Sequence, residues 1–370
     1  MDKLNICLVS LTFAPDSQDG AAKFFTGIYN YLKNQGHNVK LVTAKWNFAF
    51  SDPNIHQIKI IRKRFLWFPH FTLHARNYLK NHNFDIVHGN GPKGVIPIVL
   101  SNQKQFISTI HDLGPFETQF TRIPLEKLLI KYTVNKSTLI TTCAESIRRQ
   151  INYYIPTVDI NHTFNLYSAI EEKFKPLPDK AQELKNKLNI KGPVLLYIGR
   201  IAKYKGVHDI IKAYQLAKKE IPNLNLVIGG KPDFYMEKIF ESWRQKYKDI
   251  YFLGFISDDE IPIYYSMGDI FVTYSYASEG FGLTPIEAIA CGTPVICSSI
   301  RAYKEVLQDN AIFVPPKNPI QLAKEIVIFL KDDVTRKRLL EKAQKFIKRY
   351  TWNAVGKKLE SVYDIFLNQI

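Results

Sequence analysis

The sequence predicts an α/β protein built from two Rossmann-like, doubly wound parallel sheets. Short β-branched segments alternate with longer amphipathic segments, the pattern of parallel strands joined by crossover helices. This alternation fades between residues 152 and 189, where three prolines occur, and then resumes. A chain of 370 residues also exceeds the roughly 250–300 residues at which a single hydrophobic core stops growing. We therefore predict two domains with a linker at 165–190.

The N-terminal domain, predicted to span residues 1–168, begins with a buried strand at Asn5–Ser10. A loop containing Pro, Asp and Gly follows, and a helical pattern runs from 21 to 35 before Gly36 ends it. Later apolar runs are short and rich in Val, Ile and Thr, as is typical of strands. These further predicted strands are residues 39–43, 85–88, 106–110 and 138–142.

The C-terminal domain, predicted to span residues 169–350, repeats the alternation. A last helix is predicted over 352–367, because apolar residues recur there at every third or fourth position. We expect this final segment, residues 351–370, to pack back on the N-terminal domain. The predicted strands of the C-terminal domain are residues 194–198, 225–228, 250–253, 270–273 and 294–297.

The composition indicates a globular protein with an anionic partner. Hydrophobic residues make up 46% and charged residues 23%, which excludes wholesale disorder. The formal net charge is +16, from 50 Lys and Arg against 34 Asp and Glu. A surplus of this size favours nucleic acid, a membrane surface or phosphorylated small molecules as partners.

The chain carries no sequence feature that predicts export. Its first apolar run is too short for a signal peptide, and no stretch of about 18–20 apolar residues predicts a transmembrane helix. The four cysteines are scattered and form no CxxC pair, which favours a reducing compartment and no zinc site. We expect a cytoplasmic protein, located at the inner face of the membrane if it contacts lipid.

Two doubly wound domains form a cleft, and ligands of open α/β sheets bind where the strands end. Directly after strand 194–198 the chain reads Gly199-Arg200, and Lys205-Gly206 follows after four intervening residues. The glycine allows the chain to turn, while an arginine and a lysine in one loop suit a diphosphate. The alternative is a solvated basic loop, which is the favoured interpretation for a single lysine in so basic a chain.

A second constellation is the loop and helix start at residues 279–287, EGFGLTPIE. Pro285 lies near the start of the helix, so the backbone N–H groups of the glycine-containing turn precede a helix N-terminus. Such a terminus favours an anion. Glu279 and Glu287 flank this turn, and carboxylates beside a phosphate suit sugar hydroxyls better than the phosphate itself. The alternatives are a surface acid for Glu279 and helix-start electrostatics for Glu287.

These two motifs, with the continuation to residue 296 (EGFGLTPIEAIACGTPVI), resemble the signature of the retaining glycosyltransferases of family 4, which have the GT-B fold. The resemblance implies that arginine and lysine hold the donor diphosphate and that the turn backbone contacts phosphate and sugar. It also implies that Glu279 binds hydroxyls of the transferred sugar and that Glu287 binds the ribose. The donor-binding residues implied are Gly20, Gly199, Arg200, Lys205, Phe281, Gly282, Leu283 and Glu287.

The N-terminal domain contributes three further candidates. His111 follows strand 106–110 and is similar to the interdomain histidine of the family, which lies near the transferred sugar. His88 ends the predicted strand 85–88 and is assigned to the acceptor side. Gly20 is the only glycine in the first loop, where the family usually has several, so this chain departs from the pattern there. Without the resemblance, a capping or packing role would be the favoured interpretation for His111.

Two missing motifs narrow the chemistry. There is no Asp-x-Asp, so we expect no metal and no cofactor. The catalytic set that the resemblance implies is His111, Arg200, Lys205 and Glu279. There is no Gly-x-Gly-x-x-Gly after the first strand, which argues against an NAD enzyme. The charge of a departing nucleoside diphosphate would then be stabilised by fixed cations and helix dipoles.

Basic and aromatic residues alternate in residues 62–71, from Arg62 to Phe71, here called the basic–aromatic segment. Such a segment could dock on anionic lipid headgroups with its aromatic rings at the interface. The alternative is that the aromatic rings pack inside and only the charges face water. We expect no nucleic acid partner, because no known binding module is present.

These observations predict a metal-independent retaining glycosyltransferase of the hexosyltransferase type. It would move a sugar from a nucleoside-diphosphate sugar to a glycan or lipid-linked acceptor. Two alternatives stay open. A nucleotide-sugar 2-epimerase of the same fold would convert the donor without an acceptor, and a non-catalytic scaffold subunit would bind the donor without turnover.

Overall fold

The computed structural model describes residues 3–17, 19–63, 65–117, 124–276 and 279–369. The chain forms two compact units: Met1–Ala169 with Trp352–Ile370, and Ile170–Thr351. Each unit is an α/β layer structure around a parallel sheet. The predicted fold class, two doubly wound parallel sheets, is confirmed.

Unit 1 contains a seven-stranded sheet in the order β3-β2-β1-β4-β5-β6-β7, and all its neighbours pair in parallel. Its strands are β1 Asn5–Ser10, β2 Asn38–Lys45, β3 Ile55–Lys59, β4 Ile86–Asn90, β5 Ile107–Ile110, β6 Leu139–Thr142 and β7 Thr163–Asn165. The order reverses between β1 and β4, and this is the switch point where α/β sheets bind ligands.

Helices cover both faces of this sheet because successive strand residues point to opposite sides. In β1, Ile6 and Leu8 pack in one core cluster with the first helix and the C-terminal helix Trp352–Leu367, whereas Cys7 packs in a second cluster with α2 and α3. The other helices of the unit are α1 Gly20–Asn34, α2 Trp67–Lys80, α3 Gly91–Leu100, α4 Gly114–Glu117, α5 Pro124–Lys136 and α6 Glu145–Tyr154.

Unit 2 contains a six-stranded parallel sheet in the order β10-β9-β8-β11-β12-β13. Its strands are β8 Val194–Ile198, β9 Asn225–Gly229, β10 Ile250–Gly254, β11 Ile270–Thr273, β12 Val295–Ser298 and β13 Ile312–Val314. Its helices are α7 Pro178–Lys187, α8 Val207–Ala217, α9 Glu237–Lys246, α10 Ile261–Met267, α11 Leu283–Ala290, α12 Arg301–Leu307, α13 Pro319–Lys331 and α14 Asp333–Phe346. The switch point of this sheet lies between β8 and β11, so both motif loops begin at its two sides.

Two features differ from the sequence-based expectation. Strands β3, β7 and β13 are additional, and all three are edge strands of three to five residues whose apolar runs are too short to signal a strand. The segment 165–190 also contains a helix, α7, which starts at Pro178 because proline fits the first helical turn.

Candidate active site

The loop after β8 is fixed to the end of β11 by backbone contacts. Residues Lys203–Lys205 form a 3₁₀ turn, and Gly206 then adopts a left-handed conformation with φ of +64° before α8 begins. A Cβ atom on Gly206 would lie 2.2 Å from the carbonyl oxygen of Tyr274. The N–H of Tyr276 donates to the carbonyl of Tyr204 at 2.7 Å. Only glycine therefore allows this loop to lie against the neighbouring strand end.

The side chain of Tyr276 anchors the same loop to α8. Its hydroxyl donates to the carboxylate of Asp209 at 2.5 Å, and Asp209 is a buried residue in the first turn of α8. Burial, together with the charge of Asp209, raises the pKa of Tyr276 far above its usual value, so the hydroxyl stays a proton donor. The loop thus has side-chain as well as backbone support.

The two cations of the loop share one aromatic neighbour. An Nη2–H of Arg200 donates to the hydroxyl of Tyr204 at 2.8 Å, and the guanidinium carbon lies 5.8 Å from the ring centroid. The ammonium of Lys205 lies 5.3 Å from the same centroid. Tyr204 therefore holds both positive groups by cation–π contact. Sequence reasoning passed over it, although it stands between two lysines in the predicted loop.

Lys205 and Glu279, 74 residues apart in sequence, form a two-pronged ion pair. The ammonium donates to both carboxylate oxygens, at 2.7 and 2.8 Å. The exposed fractions of the two side chains are 18% and 12%. The hydroxyl of Ser275 also donates to this carboxylate, and the hydroxyl of Tyr303 lies 3.4 Å from it. The structure thus brings together two residues predicted for diphosphate and sugar.

Burial, and next the charge of Glu279, raise the pKa of Tyr303 well above its usual value. The Tyr303 hydroxyl therefore stays neutral beside the carboxylate and keeps its proton for donation. Ser275 and Tyr303 come from the end of β11 and from α12, two elements that carry no motif in the sequence. They are site residues that a pattern search could not identify.

The glycine turn after Glu279 leads directly into α11. Gly282 caps this helix in a left-handed conformation, with φ of +86°, and a Cβ atom there would lie 2.8 Å from the Tyr303 ring. Phe281 is buried, and its ring packs edge-on against Tyr350 with centroids 5.3 Å apart. Leu283 is the first residue of the helix. The buried phenylalanine ring anchors the turn at the positive end of the helix dipole.

Glu287 lies one turn into α11 and is buried, with 8% of its surface exposed. One of its carboxylate oxygens accepts a hydrogen bond from the hydroxyl of Tyr265 on α10 at 3.0 Å. This bond orients the carboxylate, and Tyr265 keeps its proton because burial raises its pKa well above the usual value.

In unit 1, His111 follows β5 and is held by Asn90 at the end of β4. Its Nε2 lies 2.6 Å from the Asn90 Oδ1, and because an amide oxygen only accepts, the imidazole must donate from Nε2. Burial lowers the pKa of His111 to about 4, so the ring is neutral at pH 7. The neutral tautomer presents Nδ1 as an acceptor, which suits a sugar hydroxyl. Asn90 is a functional candidate that the sequence did not reveal.

A cavity of about 380 Å³ opens beside His111 at the ends of β1, β4 and β5. Gly20 is the first residue of α1, next to two lining residues, and a Cβ atom on it would meet nothing within 4 Å. The lining is mixed, with several carboxylates and one cation among apolar side chains. The charged and polar residues of the lining are Ser10, Thr12, Asp19, Asn90, Lys93, His111, Asp112 and Glu126.

The acceptor-side assignment of His88 is wrong. The strand β4 continues to Asn90, so His88 lies inside the sheet and is fully buried. Its Nδ1 lies 2.9 Å from the Tyr363 hydroxyl and its Nε2 2.8 Å from the Thr109 hydroxyl. Burial lowers the pKa of His88 to about 3. It is a neutral core histidine.

The basic–aromatic segment is partly buried and partly exposed. Phe71 is fully buried in the core below α2, whereas Phe65 and Leu66 are 76% and 49% exposed. Trp67 lies between the two groups, and the Lys93 ammonium, which also lines the cavity, is 5.7 Å from its ring centroid. Arg64 lies outside the described residues. Trp67, which follows the exposed residues in sequence, thus contacts a lysine that lines the cavity of unit 1.

Neither a cluster of potential metal ligands nor a membrane-spanning helix occurs among the described residues. No group of three or more His, Cys, Asp and Glu side chains in this part of the chain is placed to hold a metal ion. Within the same residues, no helix is long and apolar enough to cross a membrane.

The fold matches solved structures along nearly the whole chain. A sucrose-phosphate synthase from Thermosynechococcus elongatus superposes with a TM-score of 0.84 at 20% identity, covering 99% of this chain and 100% of the other. The Anabaena protein HepE in complex with UDP-glucose superposes with a TM-score of 0.78 at 16% identity, covering 98% and 99%. The fold is therefore that of the GT-B glycosyltransferases.

Family models match both units. Residues 18–160 match Glycosyltransferase Family 4, and residues 180–346 match Glycosyl transferases group 1. An uncharacterized glycosyltransferase of Methanocaldococcus jannaschii is 24% identical across 99% of this chain and 100% of its own length. The chain belongs to the family 4 glycosyltransferases, and it is an enzyme.

Proposed function

We propose that the chain transfers a sugar from a nucleoside-diphosphate sugar to a glycan or lipid-linked acceptor, with retention of anomeric configuration and without a metal ion. The observation that carries this proposal is the contact of Lys205 with Glu279, supported by Arg200 on the same loop. Two neighbouring strand ends thus present two cations for a diphosphate, after β8, and a carboxylate for sugar hydroxyls, after β11. The UDP-glucose bound to the structural neighbour HepE is a donor of this class.

Arg200 and Lys205 would stabilise the charge that develops on the leaving diphosphate. Fixed cations in a partly desolvated site are usually the largest source of rate enhancement. The N-terminus of α11 adds a positive dipole end at the Gly282 turn. These groups supply the role that a bridging metal ion has in other transferases, which supports the metal-independent mechanism.

In the reaction, the bond from the anomeric carbon to the diphosphate oxygen breaks and a bond from the acceptor oxygen to that carbon forms on the same face. The acceptor hydroxyl gives its proton to the leaving phosphate oxygen, so no protein nucleophile is needed. Glu279 would accept hydroxyls of the transferred sugar. In unit 1, the neutral His111 would accept a sugar hydroxyl through Nδ1, because its Nε2–H is already used by Asn90.

A lipid-linked acceptor fits the exposed surface of unit 1. Phe65 and Leu66 are exposed next to Arg62 and Lys63 in sequence, and the following residue, Trp67, contacts Lys93 of the cavity lining. Exposed apolar side chains beside basic ones favour contact with an anionic lipid surface. We propose this peripheral contact at the inner face of the membrane.

Product analysis tests the transfer. The enzyme is incubated with UDP-, GDP- or ADP-sugars and a lipid extract or oligosaccharide acceptor, and the anomeric configuration of the product is read by NMR. The proposal expects an acceptor-dependent glycoside with the configuration of the donor. An inverted product contradicts retention, and conversion of donor alone into its 2-epimer indicates an epimerase. Binding of the nucleotide sugar without any turnover indicates a scaffold subunit.

A further inference from the structure

The ion pair between Lys205 and Glu279 has a consequence for ligand binding. Both carboxylate oxygens contact the ammonium, and both side chains are more than four-fifths shielded from water. The cation assigned to the donor diphosphate is therefore already neutralised in the ligand-free protein. Any diphosphate has to compete with Glu279 for it.

The number of N–H groups on Lys205 shows how direct this competition is. An ammonium has three N–H donors, and Glu279 takes two of them. Arg200 differs, because its Nη2 hydrogen-bonds the neutral hydroxyl of Tyr204. A bound diphosphate could pair with Arg200 by displacing only a neutral hydroxyl. To pair with Lys205, it would have to draw the ammonium away from a carboxylate. Two anions sharing one shielded cation also repel each other.

Glu279 is destabilised once Lys205 turns to the phosphate. The carboxylate then keeps the Ser275 hydroxyl, with the Tyr303 hydroxyl at 3.4 Å. A shielded carboxylate that loses its cation is destabilised unless new donors replace it. The hydroxyl groups of a transferred sugar are such donors. A nucleoside diphosphate carries no sugar on its terminal phosphate, and its ribose hydroxyl groups are those that the resemblance assigns to Glu287.

We propose that Glu279 makes this site discriminate between the nucleotide-sugar donor and the nucleoside diphosphate product, by holding Lys205 whenever no sugar is present. This inference rests on the proposed function and adds a second role for the same carboxylate. The hydroxyl groups of the transferred sugar donate to Glu279 in place of Lys205, so the nucleotide-sugar donor is bound. After transfer the sugar is gone, Glu279 recovers Lys205, and the diphosphate loses a cation. Glu279 thus weakens product binding and speeds product release.

Calorimetric titration of the full-length Glu279→Gln variant tests this. Ligands are UDP, GDP and ADP, followed by UDP-glucose, GDP-mannose and ADP-glucose. Glutamine keeps the shape of glutamate but releases Lys205, so we expect the nucleoside diphosphate that binds wild type to bind at least about tenfold more tightly. The nucleotide sugar should gain less or lose affinity. Glu260→Gln, an exposed carboxylate bonded to Ser257, removes the same charge and should change neither affinity.

A second variant gives the opposite sign and covers the case in which Glu279→Gln does not fold. Ser275→Ala removes a hydroxyl that donates to Glu279, which makes the carboxylate depend more on Lys205. The affinity for the nucleoside diphosphate should then fall by severalfold, and it should fall more than the affinity for the nucleotide sugar. An unchanged or higher diphosphate affinity in Ser275→Ala contradicts the inference.

The remaining outcomes are also decisive. Unchanged or weaker diphosphate binding by Glu279→Gln overturns the inference and leaves the proposed function intact. Equal tightening of diphosphate and nucleotide sugar also overturns it, since that result reflects general electrostatics without discrimination. If wild type binds none of the six ligands, the proposed function fails and the inference fails with it.

Discussion

At the scale of single residues, the site depends on where one ammonium group is held. Lys205 is kept in place by a carboxylate, an aromatic ring and a short 3₁₀ turn, and only 18% of its side chain is exposed. The ring and the turn keep the ammonium at the site, so it has only to turn from Glu279 to the phosphate when a donor binds. Its neighbour Lys203, in the same turn, is exposed and has no such support.

Replacing this ammonium should remove most catalysis. Lys205→Ala is expected to lower turnover by about 10²- to 10³-fold, the usual effect of deleting one preorganised charge-stabilising group. Lys203→Ala, in the same turn but exposed, should keep wild-type turnover. Steady-state kinetics with donor and acceptor measure both, and a cooperative melt shows that each variant folds. Wild-type turnover in Lys205→Ala excludes the phosphate role.

Two histidines of unit 1, the buried His88 and the partly buried His111, predict how stability depends on pH. Burial lowers the pKa of His88 to about 3 and that of His111 to about 4, below the value of about 6.5 for an exposed histidine. Between pH 6.5 and about 4 the unfolded chain therefore binds protons that the folded chain does not. Stability is full above pH 6.5 and falls as the pH drops through this window.

Urea unfolding at pH 7.5, 6.5, 5.5 and 4.5 measures this fall. His111→Asn should lose less stability across the window, by up to about 1.4 kcal/mol per pH unit, because one proton uptake is removed. His162→Asn, at an exposed position, should retain the wild-type slope. Identical slopes for wild type and His111→Asn contradict the assignment of His111 as a neutral group with a lowered pKa.

At the scale of elements, the short connections after β8 and β11 determine the geometry of the site. Both leave neighbouring strands at the switch point of the sheet, and both need a glycine in a left-handed conformation, at Gly206 and Gly282. A parallel sheet brings the two loops to the same edge, so residues far apart in sequence meet there.

A methyl group at the first of these glycines should disturb the loop without abolishing the fold. In Gly206→Ala the new Cβ would lie 2.2 Å from the Tyr274 carbonyl oxygen at φ of +64°, so the turn that carries Lys205 must shift. We expect at least about tenfold weaker nucleotide binding by calorimetry and a lower melting temperature. Gly20→Ala, whose Cβ meets nothing within 4 Å, should melt like wild type. Wild-type nucleotide affinity in Gly206→Ala contradicts this account of the loop.

The same elements show what the sequence can reveal. β1, β8 and β11 have the predicted bounds because they are central strands buried on both faces, which gives continuous apolar runs. The edge strands β3 and β13 escape notice because their runs are short or half exposed. Burial on two faces, not strand propensity, therefore decided which strands could be predicted from the sequence.

The site residues also divide into those that the sequence reveals and those that it does not. Arg200, Lys205 and Glu279 are recognisable because they sit in motifs at predicted strand ends, but their partners Tyr204, Ser275 and Tyr303 carry no spacing signal. The acceptor-side assignment of His88 was wrong because the end of its strand was misplaced. β4 runs two residues further than predicted, so Asn90 occupies the end that we assigned to His88.

At the scale of the whole molecule, the net charge of +16 exceeds what two cations in one loop can explain. The surplus is spread over both halves of the sequence, and part of it borders exposed apolar side chains in the basic–aromatic segment. Electrostatic attraction to anionic headgroups and burial of apolar side chains act together at such a surface.

Vesicle co-sedimentation tests this contact. The protein should bind vesicles that contain anionic phospholipid, bind less at high salt, and not bind neutral vesicles. Phe65→Ser with Leu66→Ser should weaken binding severalfold, since both side chains are exposed. Phe234→Ser with Tyr235→Ser removes two adjacent aromatic residues of unit 2 that are 80% and 84% exposed, and should have no effect. Equal losses in both pairs, or no binding by wild type, contradict the proposed contact.

The central claim is that Lys205 and the loop after β8 bind the diphosphate of a nucleotide donor. Thermal denaturation of wild type and Lys205→Ala with UDP-glucose, GDP-mannose and ADP-glucose tests it most directly, because a ligand that binds only the folded state stabilises it by about 2.7 kcal/mol at 100 times its Kd. We predict that one of the three nucleotide sugars raises the melting temperature of wild type and that Lys205→Ala loses most of this shift. No shift with any nucleotide sugar, or an equal shift in both proteins, would contradict the claim.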